Sequence, residues 1–489
     1  MDYLIGIDMG TTNTKAICFD AEGRAVASQS APTRTLDTDE GIRYRAADLW
    51  PNVARLLTAL TAKLSETEGA DAPKRIGGIS VSGMGEAGIP LDAKGAPLCD
   101  VIPWFDSCTR AISASWEYTL GFETLERITE LKPQHIFTAN KLLYLKQKYP
   151  EILRHMVRWH CVPDYISFCL TGCSAMDYSL ATRTMMMDQQ KKCWSWEILM
   201  EMGLSSDVLP RLVPSGAKIG TVTEKAASET GLLQGTPVFA GGHDHICGAF
   251  AIGASTESVA MDSCGTSEEI LLGTSRYDTV KKCGSLGFNV GAHAAADRYY
   301  IAGGMPASGL SIDWYRTRFH SGSYQGSVTG ANGVLFYPYL RGSSSPARNP
   351  EIPAVFRNLC DTTTAEDCMQ AVYEGLAYEA RMILEQIKTE QALRKIIAIG
   401  GGARNHYWMQ IKANVYNLPI ELPSVSESTA LGAAILAGIG CGMYEDAPDA
   451  HQHTYRVSET ILPDAESSEL YKVLYQLYQT NLPMEPRKE

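Results

Sequence analysis

The sequence predicts an α/β protein built from two related halves. Three observations carry that reading. Apolar strands alternate with segments of helical apolar spacing along most of the chain. A strand that runs into an acid, a glycine and two hydroxyl residues occurs near Asp8 and again about 255 residues later. The 489 residues, 45% hydrophobic and 20% charged, are ordinary globular composition, which excludes disorder, collagen and coiled coil for the chain as a whole.

The elements follow in order. Residues 3–8 and 15–20 are apolar runs around a polar, glycine-containing turn, and residues 25–28 return after a second turn, which predicts a three-strand antiparallel meander. Residues 48–66 carry Trp50, Val53, Leu56, Leu57, Leu60 and Leu64 at helical spacing, with Asp48 as the cap and Pro51 in the first turn. Residues 76–82 form a short buried strand, so the opening order is β-β-β-α-β. In the second half, strands over 257–262 and 268–272 repeat the hairpin around Gly265-Thr266-Ser267. A helix over 369–387, a strand over 395–399, a helix over 407–416, a strand over 420–422 and a small-residue helix from Ala430 complete it. The Gly- and Ser-rich interval 321–332 reads as a surface loop.

Charge and cysteine content exclude several roles. The 43 basic and 55 acidic residues leave a formal charge of −12, so neither nucleic acid nor an anionic membrane is an expected partner. The 13 cysteines are odd in number and contain no Cys-x-x-Cys pair, which predicts reduced thiols and a cytoplasmic location. The N-terminus has no basic n-region. The longest uncharged apolar stretch, 430–443, is shorter than the ~20 residues that span a bilayer.

No P-loop and no Rossmann glycine fingerprint is present. The anion-binding candidates are hairpins instead. Gly10 permits close backbone approach, Thr11, Thr12 and Asn13 supply N–H and hydroxyl donors, and Lys15 adds charge. Asp8, at the strand end, is placed to hold Mg²⁺ through water. The Gly265-Thr266-Ser267 turn is a second such loop. Gly400-Gly-Gly-Ala403 after a buried strand is a third glycine turn, set before a helix. The densest polar cluster, residues 241–247, admits a metal site from His243, His245 and Cys247, a general base at Asp244, or satisfied polar residues at a crossover. The metal reading lacks a second His/Cys cluster to complete a tetrahedral site. Glu86 after a strand, and Trp104 with Asp106, pair an aromatic face with acids, as sugar sites do.

Taken in order along nearly the whole chain, these segments resemble the FGGY carbohydrate kinases, relatives of glycerol kinase, xylulokinase and gluconate kinase. The blocks that carry the resemblance are Gly6 to Lys15, Trp104-Phe-Asp106, Asn140 to Leu145, Asp177 to Arg183, Gly241-Gly-His-Asp244, Cys264-Gly-Thr-Ser267, Tyr337 to Gly342, Gly400 to Ala403 and Ala430 to Ala434. The resemblance implies two ribonuclease-H-like, actin-like domains with the active site in the cleft between them. Residues 1–254 would be the sugar-binding domain with the first phosphate loop, and 255–489 the nucleotide-binding domain. It implies transfer of the ATP γ-phosphoryl group to a hydroxyl of a small sugar, a ketose such as xylulose or a relative, with Mg²⁺.

Residue by residue, Asp244 matches the catalytic base and, with Asp8, the metal carboxylates. Gly10, Thr11, Thr12, Asn13 and Lys15 match the first phosphate loop, and Gly265 and Thr266 the second. Gly309, Gly401, Gly402 and Asn405 match nucleotide contacts. Glu86, Trp104, Asp106, Asp244 and His245 match the acceptor side. The acceptor side also departs from known members. Glycerol kinases carry Arg-Glu where Gly85-Glu86 stands and a tyrosine at the place of Ile136, which disfavours glycerol. Xylulokinases carry Met-His at 85–86 and an Arg where Cys108 stands, and His245 replaces the usual Gln or Asn. A polyol or sugar-acid kinase, or a non-kinase nucleotide-binding regulator on the same scaffold, are the alternatives, and a homodimer is the assembly to test for.

Overall fold

Tyr3–Met9 is buried along its length, and its alternate side chains serve two different faces. The structure is a computed structural model, and it describes residues 2–319, 326, 328–345, 348–387 and 391–483. Tyr3, Ile5, Ile7 and Met9 join Leu49, Val53, Leu57, Leu60 and Leu64 of helix Ala46–Glu68 in one core. The other face carries Gly6 and Asp8. A Cβ at Gly6 would lie 1.9 Å from the carbonyl oxygen of Ala430, so the small-residue helix Ser428–Cys441 packs directly on this strand. That contact explains the glycine and alanine content of the helix, which lets two backbones meet.

The chain divides into two compact units. The first comprises 1–253, 291–299 and 427–455, and the second 254–290, 300–426 and 456–489. In the first unit the sheet order is Lys218–Thr221, Pro237–His243, Ile76–Gly83, Tyr3–Met9, Asn13–Asp20, Ala25–Pro32. The last three form the antiparallel meander; Ile76–Gly83 pairs parallel with Tyr3–Met9, and Pro237–His243 pairs parallel with Ile76–Gly83. In the second unit Val259–Cys264 pairs antiparallel with Glu268–Thr274 and parallel with Lys395–Ile399, which is followed by Ile420–Pro423. The same ribonuclease-H-like order therefore occurs twice, as the repeated hairpin in the sequence predicts.

Several boundaries differ from the sequence reading for identifiable reasons. The first helix begins at Ala46 rather than Asp48, because the carboxylate of Asp100 accepts from the Ala46 N–H at 3.0 Å. Asp48 lies in the first turn, and Pro51 sits further inside the helix. Helix Ala365–Gln386 starts earlier than 369 because Thr364 and Asp367 form a capping box. Of the loop expected over 321–332, residues 321–325 and 327 lie outside the described residues, and Ala331–Gly333 is a single 3-10 turn. Among the described residues no helix is long and apolar enough to cross a membrane.

Candidate active site

The first hairpin closes between Met9 and Thr14, with Asp8 opposite Lys15. Thr33 buttresses it. Its hydroxyl donates to the Gly10 carbonyl at 2.7 Å, and its N–H donates to the Thr12 carbonyl at 2.9 Å. Gly10, Thr11, Thr12 and Asn13 are thereby held as a partly exposed loop. Lys15 pairs with Glu427 at 2.5 Å. Oδ1 of Asp8 is buried without a hydrogen-bond partner. Burial, and then the charge of Asp244, push its carboxyl up to about 7, against the pull of Lys15. Two carboxylates that repel each other around an orphaned oxygen are a donor set that fits a hard divalent cation.

Asp244 opens helix Asp244–Ala251, directly after strand Pro237–His243. Its Oδ1 accepts from the His245 N–H at 2.7 Å and lies 3.3 Å from Nδ1 of His243. Burial works to raise its carboxyl, but the imidazoles of His243 and His245, the His245 N–H and Arg183 outweigh it and hold the group below its ordinary range. Asp244 is thus ionised at neutral pH. His243 lies against Gly85, where a Cβ would approach its Cδ2 to 2.6 Å. The imidazole fills the volume that a side chain at 85 would take. Among the described residues the only close set of metal-type ligands is Asp262, Cys264 and Glu268, so His243, His245 and Cys247 do not converge on a metal.

On the acceptor side, Glu86 is buried and has left-handed backbone, φ 60°. Its carboxylate accepts from Nε of Arg183 at 2.7 Å, and its carbonyl accepts from Thr138 Oγ1 and Lys141 Nζ, each at 3.0 Å. Asp106 is already engaged. Arg43 Nη1 donates to Oδ2 and the Cys108 N–H to Oδ1, both at 2.8 Å. Burial raises its carboxyl, but the Cys108 and Arg43 donors prevail and lower it. Asp106 therefore fixes the loop that presents the half-exposed ring of Trp104. Arg43, Lys141 and Arg183 escaped the sequence reading. The signal for Lys141 was a lysine on the apolar side of helix Thr138–Lys148.

In the second unit, Gly265 and Thr266 form the tip of the hairpin Val259–Cys264 to Glu268–Thr274. Gly309 begins helix Gly309–Arg318, and its N–H donates to the Gly265 carbonyl at 3.0 Å. Gly309 thus supports the hairpin. A Cβ at Gly401 would meet nothing within 4 Å, which leaves its face open. Asn405 caps helix His406–Tyr416 by accepting from the Trp408 N–H at 3.2 Å.

A duplicated ribonuclease-H-like sheet with acid-glycine-hydroxyl hairpins, and an aspartate held ionised after a strand, are the features of an actin-like fold with a site suited to phosphate and a divalent cation. Residues 3–251 match the N-terminal domain and residues 260–441 the C-terminal domain of the FGGY family of carbohydrate kinases. Xylulose kinase of Bacillus subtilis (strain 168) is 30% identical over 98% of this chain and 96% of its own. The solved xylulose kinase from Rhodospirillum rubrum aligns with a TM-score of 0.88 at 26% identity, covering 98% of each chain. That from Lactobacillus acidophilus gives 0.89 at 23% identity over 98% of this chain and 97% of its own, a likeness of fold. The chain belongs to the FGGY family of carbohydrate kinases and is an ATP-dependent sugar kinase.

Proposed function

We propose that the acceptor is a small ketose, xylulose or a related sugar, and that Asp244 takes the proton from the hydroxyl that attacks the γ-phosphorus. The observation that carries this reading is the contrast between two carboxylates. Asp244 is held ionised by flanking imidazoles and an N–H, whereas Asp8 is raised to about 7 with one oxygen unpartnered. The first can orient and deprotonate a hydroxyl within hydrogen-bond reach. The second fits Mg²⁺, which when bound would spread charge from the transferring phosphoryl group.

The Gly10–Asn13 loop, with N–H and hydroxyl donors on a buttressed hairpin, suits the phosphates, and Gly265 and Thr266 suit them in the same way in the second unit. Gly401 offers an open backbone for the adenosine. The Trp104 ring and the Glu86–Arg183 pair offer a C–H-packing face, an acceptor and a donor for a polyhydroxy chain. The curated relatives named xylulose kinase and L-fuculokinase support a ketose over a triol. Nothing in the composition favours nucleic-acid or membrane partners, and the location is proposed to be cytoplasmic.

The test is ADP release with D-xylulose, L-xylulose, D-ribulose, L-fuculose, gluconate and glycerol under Mg-ATP. The reading expects a ketose to give the highest kcat/KM and glycerol the lowest. A polyol or sugar acid exceeding every ketose would refute the ketose assignment.

A further inference from the structure

The two phosphate hairpins differ in what stands beneath them. In the first unit Asp8 keeps an orphaned oxygen. In the second, the acid at the like position of the repeat, Asp262, meets a cation that belongs to the chain. Lys412 reaches from helix His406–Tyr416 to an acid on each of the two hairpin strands. Its Nζ lies 2.7 Å from Asp262 Oδ2, 2.8 Å from Glu268 Oε1 and 3.3 Å from Cys264 Sγ, over the Trp408 ring at 4.3 Å. The side chains of Lys412 and Glu268 have no exposed surface, and that of Asp262 has 1%.

The neighbours of this triad are the nucleotide-side segments themselves. Asp262 and Glu268 flank residues 265–267. Ser308 donates to Glu268 Oε2 at 2.7 Å through its hydroxyl and to the Thr266 carbonyl at 3.0 Å through its N–H. The next residue, Gly309, donates to Gly265, and a Cβ there would lie 2.5 Å from the Gly265 oxygen. The helix that carries Lys412 begins just after Gly401, Gly402 and Asn405. A buried ion pair gives little net stability over well-packed apolar side chains, so stability alone is a weak account of this cluster. Two acids directly below a polyphosphate loop would oppose anion binding unless a cation offset them.

We propose that Lys412 is the positioning residue of the nucleotide side: a built-in cation that holds the Gly265–Ser267 turn, the start of helix Gly309–Arg318 and the Gly401–Asn405 turn in one register and offsets the carboxylates beneath the phosphates. The inference rests on the reading of these segments as nucleotide contacts.

The experiment measures ADP binding by calorimetry, and KM for Mg-ATP and for the ketose, on K412M, K412R, E268Q and T266A. K412M is expected to weaken ADP at least tenfold and to raise KM for ATP similarly, with KM for the ketose within twofold of the parent and partial recovery in K412R. E268Q keeps the ammonium paired with Asp262 and removes one buried acid. It folds and binds ADP about threefold more tightly, and it decides the matter if K412M does not fold. A folded K412M with ADP affinity within twofold, while T266A binds weakly, overturns the role of Lys412 and leaves the nucleotide reading intact. Unchanged affinity in both K412M and T266A overturns the two together. Weaker or unchanged ADP binding in E268Q also contradicts the proposal.

Discussion

The ammonium of Lys141 donates to the carbonyl oxygen of Glu86 at 3.0 Å, from a position with about 1% of its surface exposed. It donates equally to the Ile136 carbonyl, and Thr138 donates to the same Glu86 oxygen. These bonds hold Glu86 in left-handed backbone, which costs a non-glycine residue about 1–2 kcal/mol. Lys141→Met leaves the carbonyls without those donors, at a cost of about 1–3 kcal/mol. KM for the ketose should rise roughly tenfold while KM for ATP stays put. Steady-state kinetics with each substrate varied in turn would show it, and equal losses on both sides would be inconsistent with the placement.

The same lysine gives a pH signature. Burial pulls its ammonium down to about 8, with Glu86 opposing. Above that pH the folded protein holds a neutral amine, whose hydrogen bonds are roughly half as strong as charge-assisted ones. KM for the ketose should climb a few-fold as pH passes 8, and the climb should be absent in Lys141→Met. The sign for stability is opposite. Between about 8 and the ordinary lysine value near 10.4, the unfolded chain holds the proton and the folded one does not, so this group adds stability as pH rises. Urea melts across that window should show a smaller rise in the variant.

Arg43 and Asp106 form a buried pair at 2.8 Å, with side chains 8% and 9% exposed. Arg43→Ala strands a buried carboxylate and should destabilise the protein by about 3 kcal/mol, and the double variant with Asp106→Asn should recover much of that loss. A double-mutant cycle in urea measures the coupling. A coupling near zero would show that Cys108 alone suffices for Asp106.

Gly85 and His243 should be coupled as well. A Cβ at 85 displaces the imidazole that stands beside Asp244. Gly85→Ala should lower kcat about tenfold, and Gly85→Ala with His243→Ala should return to the level of His243→Ala alone. Additive losses in the double variant would mean that the two positions act separately.

Much of the fold was legible because its signals are local. The strand Lys395–Ile399 and the three-strand meander follow from apolar runs bounded by turns, and the repeated hairpin gave the second unit its likeness to the first. Asp8 and Asp244 stand out in the sequence because acids that follow apolar strand runs do, and the roles proposed for them start from that placement. What stayed hidden depends on partners distant in sequence. Asp100 caps the first helix, Glu427 pairs with Lys15, Arg183 meets Glu86, and Arg43 pairs with Asp106. Buried lysines are the hardest case, because their charge suggests a surface position until the carbonyls or carboxylates around them are seen.

The central claim is that Asp244 is the base of a sugar kinase, and Asp244→Asn tests it most directly. The change is nearly isosteric, keeps an acceptor for the His245 N–H and removes only the capacity to take a proton. Single-turnover phosphorylation of the preferred ketose, with ADP affinity measured in parallel, should show the rate down by roughly 10²–10⁴ with nucleotide binding unchanged. A rate within a factor of three of the parent would contradict the account.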